Sequence, residues 1–90
     1  MTVSVDVIIY TTRFCPYCIR AKQVLDAKGI EYNEIKVDSR PDLRAEMRQK
    51  SGRHTVPQIW IGATHVGGFD DLWAVDRSGE LDQIVYADPG

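Results

Sequence analysis

The sequence predicts an α/β fold, a small mixed four-stranded sheet flanked by helices on both faces, and two observations carry that expectation. Short β-branched apolar runs alternate with amphipathic helical stretches before a glycine-linked pair of strands and a closing helical region, in the order βαβ, helix, β-hairpin, helix. The 90 residues, 43% apolar and 27% charged, have the balance of one globular domain over residues 1–90, able to fold without a disulfide or metal staple.

The first strand is expected over Val5 to Tyr10, a β-branched run bounded by Thr11 and Thr12 and buried on both faces. Pro16 then suits the first position of a helix, where a missing N–H costs nothing. Ile19, Ala21, Val24 and Leu25 supply its apolar stripe and Gly29 its stop. Ile30 to Val37 reads as a second strand, and the βαβ unit so formed places the two strands parallel. Pro41 opens a second helix with Leu43 and Met47 toward the core, ended by Ser51-Gly52. Pro57 to Ile61 and His65 to Val66 flank Gly62-Ala63-Thr64 as a hairpin, and Gly67-Gly68 breaks its second strand. A last helical region runs from about Asp70, past a break at Ser78-Gly79, to Val85, and residues 87–90 form a frayed tail.

The 11 basic and 13 acidic residues are scattered, with a net charge of -2 and no basic block to neutralise a phosphate backbone. Nucleic acid and membrane are therefore not expected partners. The amino terminus carries no basic leader, long apolar stretch or small-residue cleavage site, so a cytoplasmic location is the expectation. In that reducing compartment a pair of cysteines is expected to be transiently oxidised and catalytic.

That pair is Cys15-Pro16-Tyr17-Cys18, and it falls where the first strand hands over to the first helix. In open α/β sheets this end of a strand is where sites are usually built. Cys15 then faces free backbone N–H groups and the positive end of the helix dipole, which stabilise a thiolate. Cys18 shares its face one turn deeper, within reach for a disulfide. Cys15 is the expected nucleophile and Cys18 the resolving thiol. A closed zinc site needs about four ligands, of which the pair supplies two. His54 and His65 lack ligand-like spacing and read as surface or turn histidines, so no metal is expected.

Three segments together resemble the glutaredoxin family over nearly the whole chain. They are Tyr10-Thr11 before Cys15-Pro16-Tyr17-Cys18, then Thr55-Val56-Pro57-Gln58, then Gly67-Gly68-Phe69-Asp70-Asp71-Leu72. The resemblance implies a thioredoxin-like fold, a cis bond before Pro57, and glutathione bound beside Cys15 by Tyr17, Arg53, Thr55, Val56, Pro57, Gly68, Phe69 and Asp70. On that reading the Val56 backbone adds the cysteinyl part of glutathione like a short strand, and Arg53 holds the glycine carboxylate. The γ-glutamyl carboxylate meets N–H groups at the helix start after Gly67-Gly68, and Asp70 pairs with the α-ammonium. Glutathione is then an electron-donating co-substrate and no cofactor is permanently bound. The implied substrates of this monomer are disulfide-containing or glutathionylated proteins.

Two positions depart from the family pattern. Thr12 stands where many members carry lysine, which shifts activation toward the helix terminus, and Phe69 stands where many have Cys or Ser, adding bulk beside the glutathione groove. Three rival readings remain: a redoxin served by thioredoxin reductase or a thiol such as mycothiol, a dimer sharing a [2Fe-2S] cluster through Cys15 and two glutathiones, and a non-catalytic interaction module. The Gly67 to Asp71 segment favours glutathione, Pro16 resembles the redox-active branch, and the intact cysteine pair speaks against the module.

Overall fold

The computed structural model describes residues 5–85. Its elements run β1 (Val7–Thr11), α1 (Pro16–Ala27), β2 (Asn33–Lys36), α2 (Pro41–Ser51), β3 (Gln58–Ile61), β4 (Thr64–Gly67), α3 (Phe69–Arg77) and α4 (Glu80–Val85). The strands lie in the order β2-β1-β3-β4, with β1 parallel to β2 and antiparallel to β3, and β3 antiparallel to β4. The expected mixed sheet is therefore present. The expectations for residues 1–4 and for the tail 87–90 lie outside the described residues.

The two-residue period of a strand divides the core between the faces of the sheet. Val7 and Ile9 of β1, with Ile59 and Ile61 of β3, pack against Ala21 and Leu25 of α1, Leu72 of α3, and Leu81 and Val85 of α4. Tyr10 turns the other way, with Ile8 and Trp60 beside it, toward Val37 and Met47 and Leu43 of α2. Helices thus cover both faces, and β1 is buried between them.

Pro16 and Pro41 occupy the starts of α1 and α2, as their missing donors allow. The buried stripe of α1 is Cys18, Ala21 and Leu25. Ile19, expected in that stripe, is instead 49% exposed, because a contact at one face of the sheet covers only one narrow side of the helix. The helix ends in a Schellman pair: the Gly29 N–H bonds the Asp26 carbonyl at 3.0 Å and the Ile30 N–H the Leu25 carbonyl at 2.9 Å. Gly29 takes φ +68, the left-handed conformation this cap requires. Ile30 is thereby committed to the cap, and β2 is shorter than the expected Ile30 to Val37. β1 likewise starts two residues late and extends to Thr11.

The hairpin carries one irregularity. Ile59 faces Gly67 while Trp60 faces His65, so β4 holds one extra residue at this bulge. Gly67 closes β4, Gly68 caps α3, and the break at Ser78-Gly79 separates α3 from α4. Among the described residues no helix is long and apolar enough to cross a membrane.

Candidate active site

Beyond the carboxyl end of β1 the chain turns through Thr12 to Phe14 into α1, and the turn is pinned from outside. The Arg13 N–H bonds both carboxylate oxygens of Asp38 at 2.9 Å. Cys15 follows as the N-cap of α1, and its sulfur accepts the Cys18 N–H at 3.1 Å. A thiol sulfur thus does what a serine or aspartate oxygen does at an ordinary N-cap.

The two sulfurs differ in surroundings. Cys15 keeps 8% of its surface exposed, against 1% for Cys18. The Cys18 thiol is pushed up to about 12, first by burial and then by its hydrogen bond with Cys15. It therefore stays protonated at neutral pH. Lys22, one turn further along α1, is engaged at 2.9 Å with Glu34 of β2.

The loop between α2 and β3 reaches the same point. The Val56–Pro57 bond is cis, as the resemblance implies. The Cys15 sulfur lies 3.8 Å from the Val56 carbonyl oxygen. From there opens a groove of about 320 Å³ lined by Tyr17, Arg53, Thr55, Val56, Pro57, Gly68, Phe69, Asp70 and Asp71. All eight residues expected beside Cys15 converge on it, from α1, the α2–β3 loop and the start of α3. A larger hollow, about 650 Å³, lies at the opposite end of β1 among Asp6, Asp26, Tyr32 and their neighbours, and holds no thiol.

The ninth lining residue is the one the sequence reading left out of the site. Asp71 Oδ2 accepts the Gly68 N–H at 3.0 Å and also the Arg53 Nη1 at 3.0 Å. These two bonds, Gly68 first, hold its carboxyl below the usual carboxylate range. Two expectations are refined by this. The Gly68 N–H is already occupied, so the donors at this helix start that lie ahead of the intrahelical ladder are those of Phe69, Asp70 and Asp71. Arg53 is not a solitary charge, since one arm of its five-donor fork is held by Asp71. The signal for Asp71 was in the sequence: an acidic side chain three residues after a helix cap reaches back to the cap N–H.

Gly67 stands directly behind this ion pair with φ +116. A Cβ there would press on the Asp71 carboxylate and come within 3.1 Å of Arg53 Nη1. Phe69 leans toward Tyr17 with ring centroids 6.2 Å apart, and Arg20 lies 5.7 Å over the Tyr17 ring, so the departure at Phe69 extends an aromatic wall along the groove. His65 also differs from its expected place at the surface. It is half-buried, stacked on Trp60 at 4.6 Å and 2.8 Å from Gln58, because it is the cross-strand partner of Trp60.

A family model described as glutaredoxin matches residues 7–66. The chain belongs to the glutaredoxin family. It is 60% identical over 81 residues to a glutaredoxin of Pseudomonas aeruginosa, covering 90% of this chain and 96% of that relative. The solution structure of glutaredoxin from Brucella melitensis superposes with a TM-score of 0.83 at 57% identity, over 92% of this chain and 90% of that one. A buckwheat glutaredoxin solved as a complex with glutathione superposes with a TM-score of 0.83 at 31% identity, over 90% and 76% of the two chains. The fold is accordingly thioredoxin-like, and this family member is a glutathione-dependent thiol-disulfide oxidoreductase.

Proposed function

We propose that Cys15 is the attacking thiol, that Cys18 resolves, and that glutathione occupies the groove running from Val56 to Asp70. The observation that carries this reading is the convergence on one sulfur. Cys15 caps α1 and sits 3.8 Å from the carbonyl of Val56, which lines the groove, while Cys18 lies behind it as a protonated thiol.

The Cys15 thiolate attacks the glutathionyl sulfur of a glutathionylated protein, forming one S–S bond as another breaks. The protein thiolate leaves with the electron pair and takes up a proton. A second glutathione thiolate then attacks the glutathionyl sulfur on Cys15, releasing oxidised glutathione and restoring the Cys15 thiolate. With a protein disulfide, Cys18 attacks the mixed disulfide instead. Its proton goes to the departing thiolate, and the Cys15–Cys18 disulfide remains for glutathione to reduce. In the groove the Val56 backbone takes the cysteinyl peptide unit, the first-turn N–H groups of α3 take the γ-glutamyl carboxylate, and Asp70 pairs with the ammonium. Arg53, steadied by Asp71, presents its remaining donors to the glycine carboxylate.

The exchange needs only the two sulfurs and a groove for glutathione, so the proposed action is that of a monomer with no resident metal or organic group taking part. A vicinal pair that is oxidised only transiently suits a reducing cytoplasm and substrates that are glutathionylated or disulfide-bearing proteins.

The test uses two substrates. Cys15→Ser should lose reduction of both a glutathionylated peptide and a protein disulfide. Cys18→Ser should keep much of the first activity but stall on the second, accumulating a mixed disulfide. Asp70→Asn should raise the KM for the glutathionylated peptide roughly fivefold, the loss of one exposed charge-assisted contact. Loss of both activities in a folded Cys18→Ser would reverse the roles, and an unchanged KM in Asp70→Asn would empty the groove of glutathione.

A further inference from the structure

Behind the Thr55-Val56-Pro57 segment lies a polar chain that the exchange chemistry does not use. Gln58 is fully buried at the start of β3. Its Nε2 donates to the Thr55 carbonyl at 3.0 Å and lies 3.3 Å from the Thr55 hydroxyl. Its Oε1 lies 2.8 Å from His65 Nε2. With the amide nitrogen turned to Thr55, the oxygen facing the imidazole can only accept, so His65 Nε2 must carry the proton and donate. The imidazole is held from its face by Trp60, whose ring is stacked at 4.6 Å.

We propose that His65 is a positioning residue for glutathione: its Nε2–H fixes the buried Gln58 amide, which in turn holds Thr55 and so the backbone of Val56 against the groove. The inference rests on the groove reading given above. Burial first, and the Arg53 charge second, disfavour the imidazolium, while Asp71 opposes them more weakly; the neutral ring is the one this chain of bonds requires. His65, Gln58 and Thr55 bond to one another, and the relay comes near a sulfur only at its far end, where the Val56 carbonyl lies 3.8 Å from Cys15. Its loss is therefore expected in substrate binding and not in the exchange step itself.

The test is a double-mutant cycle with a glutathionylated peptide as substrate and glutathione reductase as the coupling enzyme. His65→Phe keeps an aromatic ring on Trp60 but removes the donor, and should raise KM about tenfold with kcat changed less than twofold. Gln58→Leu should raise KM similarly, and adding His65→Phe to it should change KM no further, because the second residue acts through the first. Alkylation of Cys15 by iodoacetamide, which needs no groove, should be unaffected in His65→Phe. Nitrogen-15 NMR of the parent protein should show the neutral Nε2–H tautomer of His65, a readout that needs no variant to fold.

The Nδ1–H tautomer in the parent, or independent and additive effects of the two substitutions, would overturn the proposal. So would an unchanged KM in His65→Phe when Asp70→Asn raises it, a result that leaves the groove intact and removes only the relay. If neither variant changes KM, the groove reading and the relay fail together.

Discussion

Cys15 and Cys18 carry the same side chain one helical turn apart, yet their environments differ, and the proposed division of tasks rests on that difference. Cys15 is an N-cap that accepts an N–H and lies against Val56 at the edge of the groove, whereas Cys18 is more deeply buried and pushed up to about 12 by desolvation and by Cys15. Brief treatment of the reduced protein with iodoacetamide at neutral pH should accordingly label Cys15 and spare Cys18, as read by mass spectrometry of the digested chain. Equal labelling would mean that the burial seen at Cys18 does not protect it. That the second cysteine lies deeper than the first was legible from helix position alone. The size of the difference was not, since it depends on what packs over the second sulfur.

At the scale of elements, the corner from β4 into α3 does three things within five residues. Gly67 ends a strand at a bulge, Gly68 caps a helix through Asp71, and Asp71 reaches eighteen residues back to Arg53. The three depend on Gly67 lacking a side chain. Gly67→Ala combines a positive φ with a Cβ forced against the Asp71 carboxylate, so it should cost about 2 kcal/mol of stability, measured by urea unfolding. The same variant should raise the KM for a glutathionylated substrate, because Arg53 and Asp71 both line the groove. Full stability in Gly67→Ala would show that the corner relaxes without strain. The glycine pair and the helix start were readable as a turn and a cap. The partner of Arg53 was not, because Arg53 lies eighteen residues away and only the tertiary fold brings it to this corner.

For the whole molecule, one polar contact joins the βαβ unit from three sides. Glu34 Oε2 on β2 accepts Thr11 Oγ1 of β1 at 2.7 Å and pairs with Lys22 of α1 at 2.9 Å. Burial works to raise the Glu34 carboxyl, but the bonds from Lys22 and Thr11 outweigh it and hold the group below its ordinary value. Lys22 is raised chiefly by the same bond. Because the carboxyl is depressed in the folded state, its contribution to stability is complete above about pH 4.3 and fades as pH falls through the folded value. The lysine, raised in the folded state, keeps its share below about pH 10.4 and loses it as pH rises beyond. Glu34→Gln should therefore be less stable than the parent at pH 7, with the gap in urea midpoint narrowing toward pH 3. A gap that stays constant through the acid range would separate the pair from stability.

What the sequence by itself determined is what acts within a few residues: the helix starts at Pro16 and Pro41, the stop at Gly29, the cysteine pair at a strand-to-helix junction, and the family to which these segments point. Such features are set by backbone dihedrals and by hydrogen bonds inside one turn, which the residue types largely dictate. Only the tertiary structure decided that Ile19 faces water, that Arg53 belongs to Asp71, and that His65 reaches Thr55 through Gln58. Each of these depends on the register of strands and the rotation of a helix over the sheet, and the net balance of packing over the whole chain sets both.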